Sequence, residues 1–449
     1  MMMFVAVLFI AGYALIALEG PLKLNKSATA LLLAAAIWVF YIFAGEDVFA
    51  FTGFTAHFAQ YKAIYPDGNF LDFVSHHEMV QNIGDIAQIL FFLMGAVTIV
   101  ETIDHHNGFS ILTDKITTRS KRKLLWILTT VTFFLSAVLD NLTTAIVMCA
   151  VLRKLLPKGK ERWFFAGMMI LAANDGGAWS PIGDVTTIML WMGGQVTAGN
   201  LILKILIPCI VSLVVPLTIL SFTMKGNFEC HEKHPVGASW EIPAKIKNFI
   251  FILGIGGLLF VPVFKGITHL PPFLGMLISL AVIWLVTEYL NRKYPGKESF
   301  SCAKVLTKID TPSILFFLGI LLSVAGLQSM GYLGMFATGL THAFDGNIYN
   351  MNICIGMISS IIDNVPLIAG AMGMFPHSVY PTDHSFWLFL TYCGGTGGNM
   401  LIIGSAAGIA AMGMEKIEFI WYLKKISIWA LIGFFAGAGT FILLDRFLF

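Results

Sequence analysis

Long runs of apolar residues, separated by short polar or glycine-rich stretches, dominate the sequence. About a dozen of these runs are long enough to cross roughly 30 Å of hydrocarbon as helices. They begin near Phe4, Ala28, Gly84, Leu124, Trp163, Leu201, Phe249, Pro272, Pro312, Met351, Ser385 and Ile426. The pattern predicts an all-α protein that crosses a membrane many times.

The composition agrees with a membrane protein and excludes several other classes. Hydrophobic residues make up 57% of the chain and charged residues only 12%, which leaves too little polar surface for a soluble globule. The net charge is +2, and the basic residues are dispersed among short loops, so no nucleic-acid surface is predicted. The first apolar run lacks a basic leader and a cleavage site, and we expect it to be a retained span.

Two apolar segments are predicted to be hairpins that enter the membrane and return to the side they left. They cover residues 124–156 and 351–375. If the other segments cross, 24 of the 28 Lys and Arg residues lie on one side, which the positive-inside rule assigns to the cytoplasm. The first hairpin then opens to the cytoplasm and the second opens to the outside.

Two motifs recur in the same order in the two halves of the chain. SAVLDNL (136–142) matches SSIIDNV (359–365). NDGGAWSPIGD (174–184) matches GTGGNMLIIGS (395–405) at nearly the same separation along the chain. Because the hairpins open to opposite sides, the sequence predicts a duplication with inverted topology.

Inverted repeats with interrupted helices are typical of secondary transporters, whose substrate site lies near the bilayer midplane between the repeats. Glycine and proline at the recurring motifs predict a helix break in each half. The predicted division is an N-terminal scaffold (1–83), a first repeat (84–222) with a broken helix at 163–193, a linker with connecting helices (223–311), and a second repeat (312–449) with a broken helix at 385–414.

The polar side chains predicted to lie inside the membrane are all oxygen donors. Buried carboxylates in a membrane are costly and usually mark ion or proton pathways. The set comprises Asp140, Asn141, Thr143, Thr144, Asn174, Asp175, Ser180, Asp184, Thr186, Thr187, Asp363, Asn364, Thr396, Asn399 and Ser405. Hard cations such as Na⁺ prefer oxygen ligands, and the absence of Lys and Arg from the set argues against an anion.

A buried carboxylate favours its protonated form, whereas a bound cation favours its charged form. One cluster can therefore hold either protons or Na⁺, which is sufficient for exchange. We expect Asp140, Asp175 and Asp363 to be the exchanging carboxylates, with Asp184 close by. The predicted Na⁺ ligands are Asp140, Asn141, Asn174, Asp175, Asp363 and Asn364.

Purely structural roles remain open for several of these residues. Asp140 and Asp363 are also suited to cap the returning half-helices of the hairpins. Asp175 precedes two glycines and is compatible with a simple turn. The threonine hydroxyls are able to bond to carbonyl groups one turn back. Glu101 lies toward the predicted cytoplasmic end of its span, where it is either solvated or part of the ion path.

The chain resembles the NhaD-type Na⁺/H⁺ antiporters of the ion transporter superfamily. The resemblance rests on FFLMGAVTIVETIDHHNGF (91–109), LDNLTT (139–144), NDGGAWSPIGDVTT (174–187), IIDNVP (361–366) and GGTGGNMLIIGSAAG (394–408). It implies a homodimer in a bacterial cytoplasmic membrane, with an elevator-like transport part, Na⁺, Li⁺ and H⁺ as substrates, surrounding lipid and no cofactor. The family's functional residues then correspond to Glu101, Asp140, Asn141, Thr143, Asn174, Asp175, Asp184, Thr186, Thr187, Asp363, Asn364, Asn399 and Ser405.

Other activities are less compatible with these motifs. Dicarboxylate carriers of the superfamily have Ser-Asn-Thr at the hairpin tips, whereas Asp-Asn in this chain would repel an anion. Arsenite pumps share the Asn-Asp-Gly run. The residues that follow it here, WSPIGD (179–184), resemble the antiporters instead. An intramembrane aspartyl protease would need a G-x-G-D element and a partner Tyr-Asp, which this sequence lacks.

Overall fold

The computed structural model describes residues 2–17, 24–52, 56–109, 118, 120–224, 226–227, 243–293, 302–307, 309, 311–361 and 364–448. Within these ranges the regular structure is helical, and the one exception is an isolated bridge between Ser120 and Asn227. The all-α class predicted from the apolar segments is confirmed for this part of the chain.

The helices of the described residues are numbered in chain order. They are α1 (Met2–Ala17), α2 (Lys26–Ala44), α3 (Asp47–Thr52), α4 (Ala56–Ile64), α5 (Phe70–His105, with a π-helical turn at Phe73–Glu78), α6 (Lys121–Leu139), α7 (Asn141–Leu155), α8 (Lys160–Ala178), α9 (Val185–Met192), α10 (Ala198–Thr223), α11 (Ala244–Thr268), α12 (Pro272–Lys293), α13 (Cys302–Leu306), α14 (Thr311–Ser329), α15 (Tyr332–Ala343), α16 (Ile348–Ser359), α17 (Asn364–Met374), α18 (Ser385–Gly397), α19 (Ala406–Glu415), α20 (Phe419–Lys425) and α21 (Ser427–Phe447).

Eight of the described helices are long and apolar enough to cross a membrane, namely α2, α5, α6, α10, α11, α12, α14 and α21. Large apolar side chains on them point outward. Phe43, Phe222 and Leu285, for example, are 79%, 75% and 72% exposed. Side chains of this kind face lipid at little cost, whereas contiguous apolar surface in water is unfavourable. The chain is therefore a multi-pass membrane protein.

Helix packing follows the same scheme in both halves of the chain. Helix α6 packs against α8, and α16 packs against α18. The return arm α7 packs against α19 of the other half, and α17 packs against α9. Each predicted hairpin therefore contacts the first segment of the interrupted helix in its own half. It also contacts the second segment of the interrupted helix in the other half.

The buried side chains form two apolar cores. The larger core joins α6–α10 with α16, α18 and α21. The smaller core joins α1–α5 with α14 and α15, and reaches α9 and α17 through Val185 and Val365. Helix α5 contributes to both cores, with Leu93 in the smaller and Val100 in the larger. The junction of the two cores runs along α5, and the candidate site lies at that junction.

A buried ion cluster joins the two halves at the end of α19. The Glu415 side chain is fully buried, and its oxygens pair with Arg153 at 2.6 Å and with Arg162 at 2.7 Å. Arg153 also donates to the carbonyl oxygen of Met414, and the Trp163 indole donates to the Glu415 carbonyl oxygen at 2.9 Å. These cations complete the C-terminal end of α19, where carbonyl groups lack helical partners.

Replacing Glu415 by glutamine is expected to destabilise the protein, because two guanidinium groups then face an uncharged amide. Breaking a buried ion pair by removing one partner costs about 3 kcal/mol or more. Thermal unfolding of the purified protein in detergent measures the loss. The matched control is Glu161→Gln, which removes the charge that pairs with Lys121 at 2.5 Å. This pair is more exposed, because 25% of the Lys121 side chain and 45% of the Glu161 side chain are accessible. That change is expected to cost less than about 1 kcal/mol, and equal losses for both variants would contradict the prediction.

Candidate cation site

Both interrupted helices restart with the same backbone geometry. Helix α8 ends at Ala178 and α9 begins after Asp184, whose φ and ψ are −149° and 149°. Helix α18 ends at Gly397 and α19 begins after Ser405, whose φ and ψ are −148° and 151°. In each case the side chain before the new helix accepts a backbone N–H, which satisfies one of the free donors at the helix start.

The glycines before each break allow backbone to touch backbone. A methyl group on Gly176 would overlap the carbonyl oxygen of Phe133 in α6, and one on Gly397 would overlap that of Gly356 in α16. The two glycines occupy matching positions in the two halves, and so do the residues that they contact. Helix and hairpin therefore approach more closely than any side chain permits.

One serine links each hairpin to the interrupted helix of its own half. The Ser136 hydroxyl donates to the carbonyl oxygen of Ala173 at 2.5 Å, and the Ser359 hydroxyl donates to that of Gly394 at 3.0 Å. The two serines occupy the same position in the recurring hairpin motifs, and the sequence alone predicts no role for them. Their contacts hold the hairpin tips beside the helix breaks.

Asp140 forms the tip of the first hairpin and is buried, with 6% of its surface exposed. Its φ of 90° is unusual for a residue with a side chain, and such conformations persist where the surroundings enforce them. Its two carboxylate oxygens accept the backbone N–H and the hydroxyl of Thr143, each at 2.8 Å. The capping role left open by the sequence is therefore present, and the same carboxylate borders a cavity.

The tips of both hairpins meet at Asp184. One carboxylate oxygen, Oδ2, accepts the side-chain N–H of Asn141 at 2.7 Å and that of Asn364 at 3.2 Å. Asn141 begins α7 and Asn364 begins α17, so residues far apart in sequence share one acceptor. The first break thus connects the two tips directly.

A chain of amides runs from this point to the second break. Asn141 donates to Asn174 at 3.1 Å, and Asn174 donates to Asn399 at 2.8 Å and to the Ser405 hydroxyl at 2.9 Å. Asn399 in turn donates to Asp175 at 2.8 Å. All four polar motifs therefore belong to one buried hydrogen-bond network, which has a carboxylate at each end.

A cavity of about 260 Å³ lies beside the hairpin tips, between them and helices α5 and α14. Since a water molecule occupies about 30 Å³ in the liquid, the space suits a partly hydrated cation. The predicted site residues on its wall are Glu101, Asp140, Asn141, Thr143, Asp184 and Asn364. Asp104, one turn beyond Glu101 on α5, also lines it and was not predicted.

The other predicted site residues lie behind this wall. Asn174, Asp175, Asn399 and Ser405 form the inner part of the network. Ser180 and Thr396 bond to backbone carbonyl groups, of Ala137 and Tyr392 respectively. Thr187 completes the cap of α9 with Asp184, and Thr186 supplies its backbone N–H. Asp363 lies outside the described residues.

The polar residues of the cavity wall are acids, asparagines and hydroxyl residues, and the rest of the wall is apolar. Of its described residues, four are carboxylates, two are asparagines, and none is Lys or Arg. The described part of the chain contains no group of three His, Cys, Asp or Glu side chains suited to a metal ion. A cation here would be held by one or two carboxylates together with amide and hydroxyl oxygens, as expected for a weakly bound hard ion.

Comparison with known proteins identifies the family. A profile of the citrate transporter family matches residues 13–395. Sodium/proton antiporter 2 of Arabidopsis thaliana is 40% identical over 446 residues, covering 98% of this chain and 99% of that protein. The Na⁺/H⁺ antiporter NhaD of Alkalimonas amylolytica is 29% identical over an alignment of 482 residues, covering 98% of this chain and 90% of that protein. The chain belongs to the family of NhaD-type sodium/proton antiporters.

A further relative agrees with this assignment. Sodium/proton antiporter 1 of Arabidopsis thaliana is 42% identical over 440 residues, covering 97% of this chain and 71% of that protein. The resemblance predicted from the Asp-Asn and Asn-Asp-Gly-Gly motifs is thereby confirmed. The family profile and the relatives are transporters, which agrees with the prediction of a transporter over an enzyme.

Proposed function

We propose that this protein is a secondary active transporter that exchanges Na⁺ or Li⁺ for H⁺. The observation that carries the proposal is the meeting of both hairpin tips and both helix breaks in one buried network beside an acidic cavity. Membership in the family of named sodium/proton antiporters supports it. The exchange would serve sodium and pH homeostasis.

The cation would bind at the cavity wall. Asp140 supplies a charged ligand, and the carbonyl oxygens of Asn141 and Asn364 supply neutral ones. Asn174 and Asp175, which the sequence predicted as ligands, would act from behind this wall through the amide network. The role predicted for Asp363 rests on the sequence alone. Protons compete with the cation because a carboxylate removed from water binds one or the other.

The repeated geometry supports inverted repeats and the division of the chain predicted above. The helix restarts, the glycine contacts and the serine bonds recur at matching positions of the two halves. We propose that the two hairpins and the two interrupted helices move together as the transport part of an elevator. The cavity extends to Glu101 and Asp104, toward the predicted cytoplasmic end of α5, as expected for a state open to the cytoplasm.

The assembly and the location also stay predictions. The resemblance implies a homodimer surrounded by lipid. A bacterial cytoplasmic membrane was predicted, and the relatives come both from bacteria and from Arabidopsis. The positive-inside rule assigns the side that carries 24 of the 28 Lys and Arg residues to the cytoplasm.

Transport of citrate or another carboxylate is disfavoured by the electrostatics of the cavity. Its described wall contains Glu101, Asp104, Asp140 and Asp184 without a Lys or Arg. An anion in this space would face the like charge of these four acidic side chains.

Proteoliposomes that contain the purified protein and an acidic lumen provide the test. Adding Na⁺ or Li⁺ outside is expected to dissipate the pH difference, whereas choline is expected to leave it unchanged. A pH-sensitive dye in the lumen measures the change. Uptake of citrate or arsenite by the same vesicles, without an effect of Na⁺ on the pH difference, would contradict the proposal.

A further inference from the structure

The orientation of every amide in the network follows from the two carboxylates at its ends. An ionised carboxylate only accepts hydrogen bonds, so the amide nitrogen of Asn399 faces Asp175 when Asp175 is charged. The Asn399 oxygen then accepts from Asn174, and the Asn174 oxygen accepts from Asn141. At the other end of the network, the Asp184 carboxylate accepts the side-chain N–H of Asn141. Both carboxylates therefore favour the same orientation of the amide side chains between them.

This orientation leaves two carbonyl oxygens at the cavity. Asn141 uses its nitrogen for Asn174 and Asp184, and Asn364 uses its nitrogen for Asp184. Within the part of the chain that the structure describes, neither side-chain oxygen accepts a hydrogen bond. Both residues line the cavity. One free carbonyl oxygen from each hairpin is therefore available as a ligand.

The two carboxylate oxygens of Asp184 accept hydrogen bonds from different donors. Oδ1 accepts the backbone N–H of Thr186 at 3.1 Å and caps α9, while Oδ2 accepts from Asn141 and Asn364. Asp184 as a whole residue is 1% exposed, so little water reaches its oxygens to replace these donors. Ser405, the corresponding residue in the second half, caps α19 with a single oxygen, which also accepts from Asn174.

We propose that Asp184 is a positioning residue that directs the carbonyl oxygens of Asn141 and Asn364, one from each hairpin, into the cation site. The inference rests on the proposed function and deepens it, because it assigns a specific task to a residue that was predicted as part of the ion-binding set without a defined role. Asp184 acts through the two asparagines and not as the main ligand.

Neither asparagine nor serine reproduces both tasks of Asp184. An asparagine has one acceptor oxygen. If that oxygen caps α9, its nitrogen faces the two tip amides, which must rotate and withdraw their oxygens from the cavity. A serine still caps α9, as Ser405 caps α19, but it is too short to hold both tip amides. Outer-shell partners of a bound metal typically contribute about 10-fold to 100-fold in affinity or activity.

The test uses the full-length protein in proteoliposomes, with initial exchange rates measured over a range of Na⁺ concentrations. Asp184→Asn and Asp184→Ser are both expected to raise the KM for Na⁺ about 10-fold to 100-fold, with a smaller change in the maximal rate. The Na⁺ concentration that raises the unfolding temperature in detergent is expected to increase in parallel. Asp345→Asn, an exposed loop aspartate, is the matched control and is expected to keep the wild-type KM.

The outcomes separate the inference from the proposed function. If Asp184→Ser folds and keeps the wild-type KM, Asp184 only caps α9 and the inference is overturned. The thermal measurement decides the question for any variant that reconstitutes poorly, because an unchanged Na⁺ dependence there overturns the inference as well. If the wild-type protein shows no Na⁺-dependent proton movement, the proposed function fails instead.

Discussion

Replacing Asp140 by asparagine is expected to abolish exchange at ordinary Na⁺ concentrations. The asparagine oxygen is able to accept the backbone N–H of Thr143, so the start of α7 keeps its cap. The variant loses the negative charge at the cavity wall. Removing one partner of a buried charge pair costs about 3 kcal/mol, which corresponds to roughly a 100-fold loss of apparent Na⁺ affinity. Initial rates of Na⁺-dependent proton movement in proteoliposomes measure the effect.

The control for Asp140→Asn is Asp345→Asn, which removes the same charge from an exposed position in a loop. This control is expected to exchange Na⁺ for protons at the wild-type rate. Wild-type exchange by Asp140→Asn would show that the carboxylate is only a helix cap.

Replacing Gly176 by alanine is expected to disrupt both folding and transport. The added methyl group overlaps the carbonyl oxygen of Phe133, and a clash with backbone is not relieved by a change of rotamer. Helix α6 would have to move away from α8, which breaks the bond between Ser136 and Ala173 and displaces the tip at Asp140. We expect the free energy of unfolding to fall by about 3 kcal/mol, near the upper end of the cost of overpacking, and we expect no measurable exchange.

Gly439→Ala provides the matched control for this substitution. Gly439 lies inside helix α21, and a methyl group there meets nothing within 4 Å. Alanine is favoured over glycine in a helix interior by about 1 kcal/mol, so this variant is expected to be at least as stable as the wild type. If Gly176→Ala unfolds at the wild-type temperature and transports normally, the close approach of α6 and α8 is not required.

The sequence was sufficient to predict which segments form the site. Apolar length indicated the membrane helices. Asp and Asn inside those segments stood out because hydrocarbon makes polar side chains costly, and the glycines indicated the helix breaks. The recurrence of Asp140-Asn141 at Asp363-Asn364 indicated that tip residues from both halves belong together. Asn141 and Asn364 do share the carboxylate of Asp184.

The arrangement within the site depends on contacts that the sequence does not reveal. Asp175 and Asp184 are both buried acids near the first break, yet only Asp184 lines the cavity, because Asp175 precedes the end of α8 and points to Asn399. Asp104 was missed because a carboxylate near a helix end is usually solvated. The pairing of Glu415 with Arg153 joins positions far apart in the chain, and no local pattern predicts it.

We propose above that Na⁺ and protons compete for the buried carboxylates of the cavity wall, Asp140 among them, beside the amides of Asn141 and Asn364. The most direct measurement is the release of protons when Na⁺ is added to the purified protein in weakly buffered detergent solution, with choline chloride as the control for ionic strength. Na⁺ is expected to release protons from the wild-type protein and far fewer from Asp140→Asn. Binding of Na⁺ without proton release, or equal release from both proteins, would contradict it.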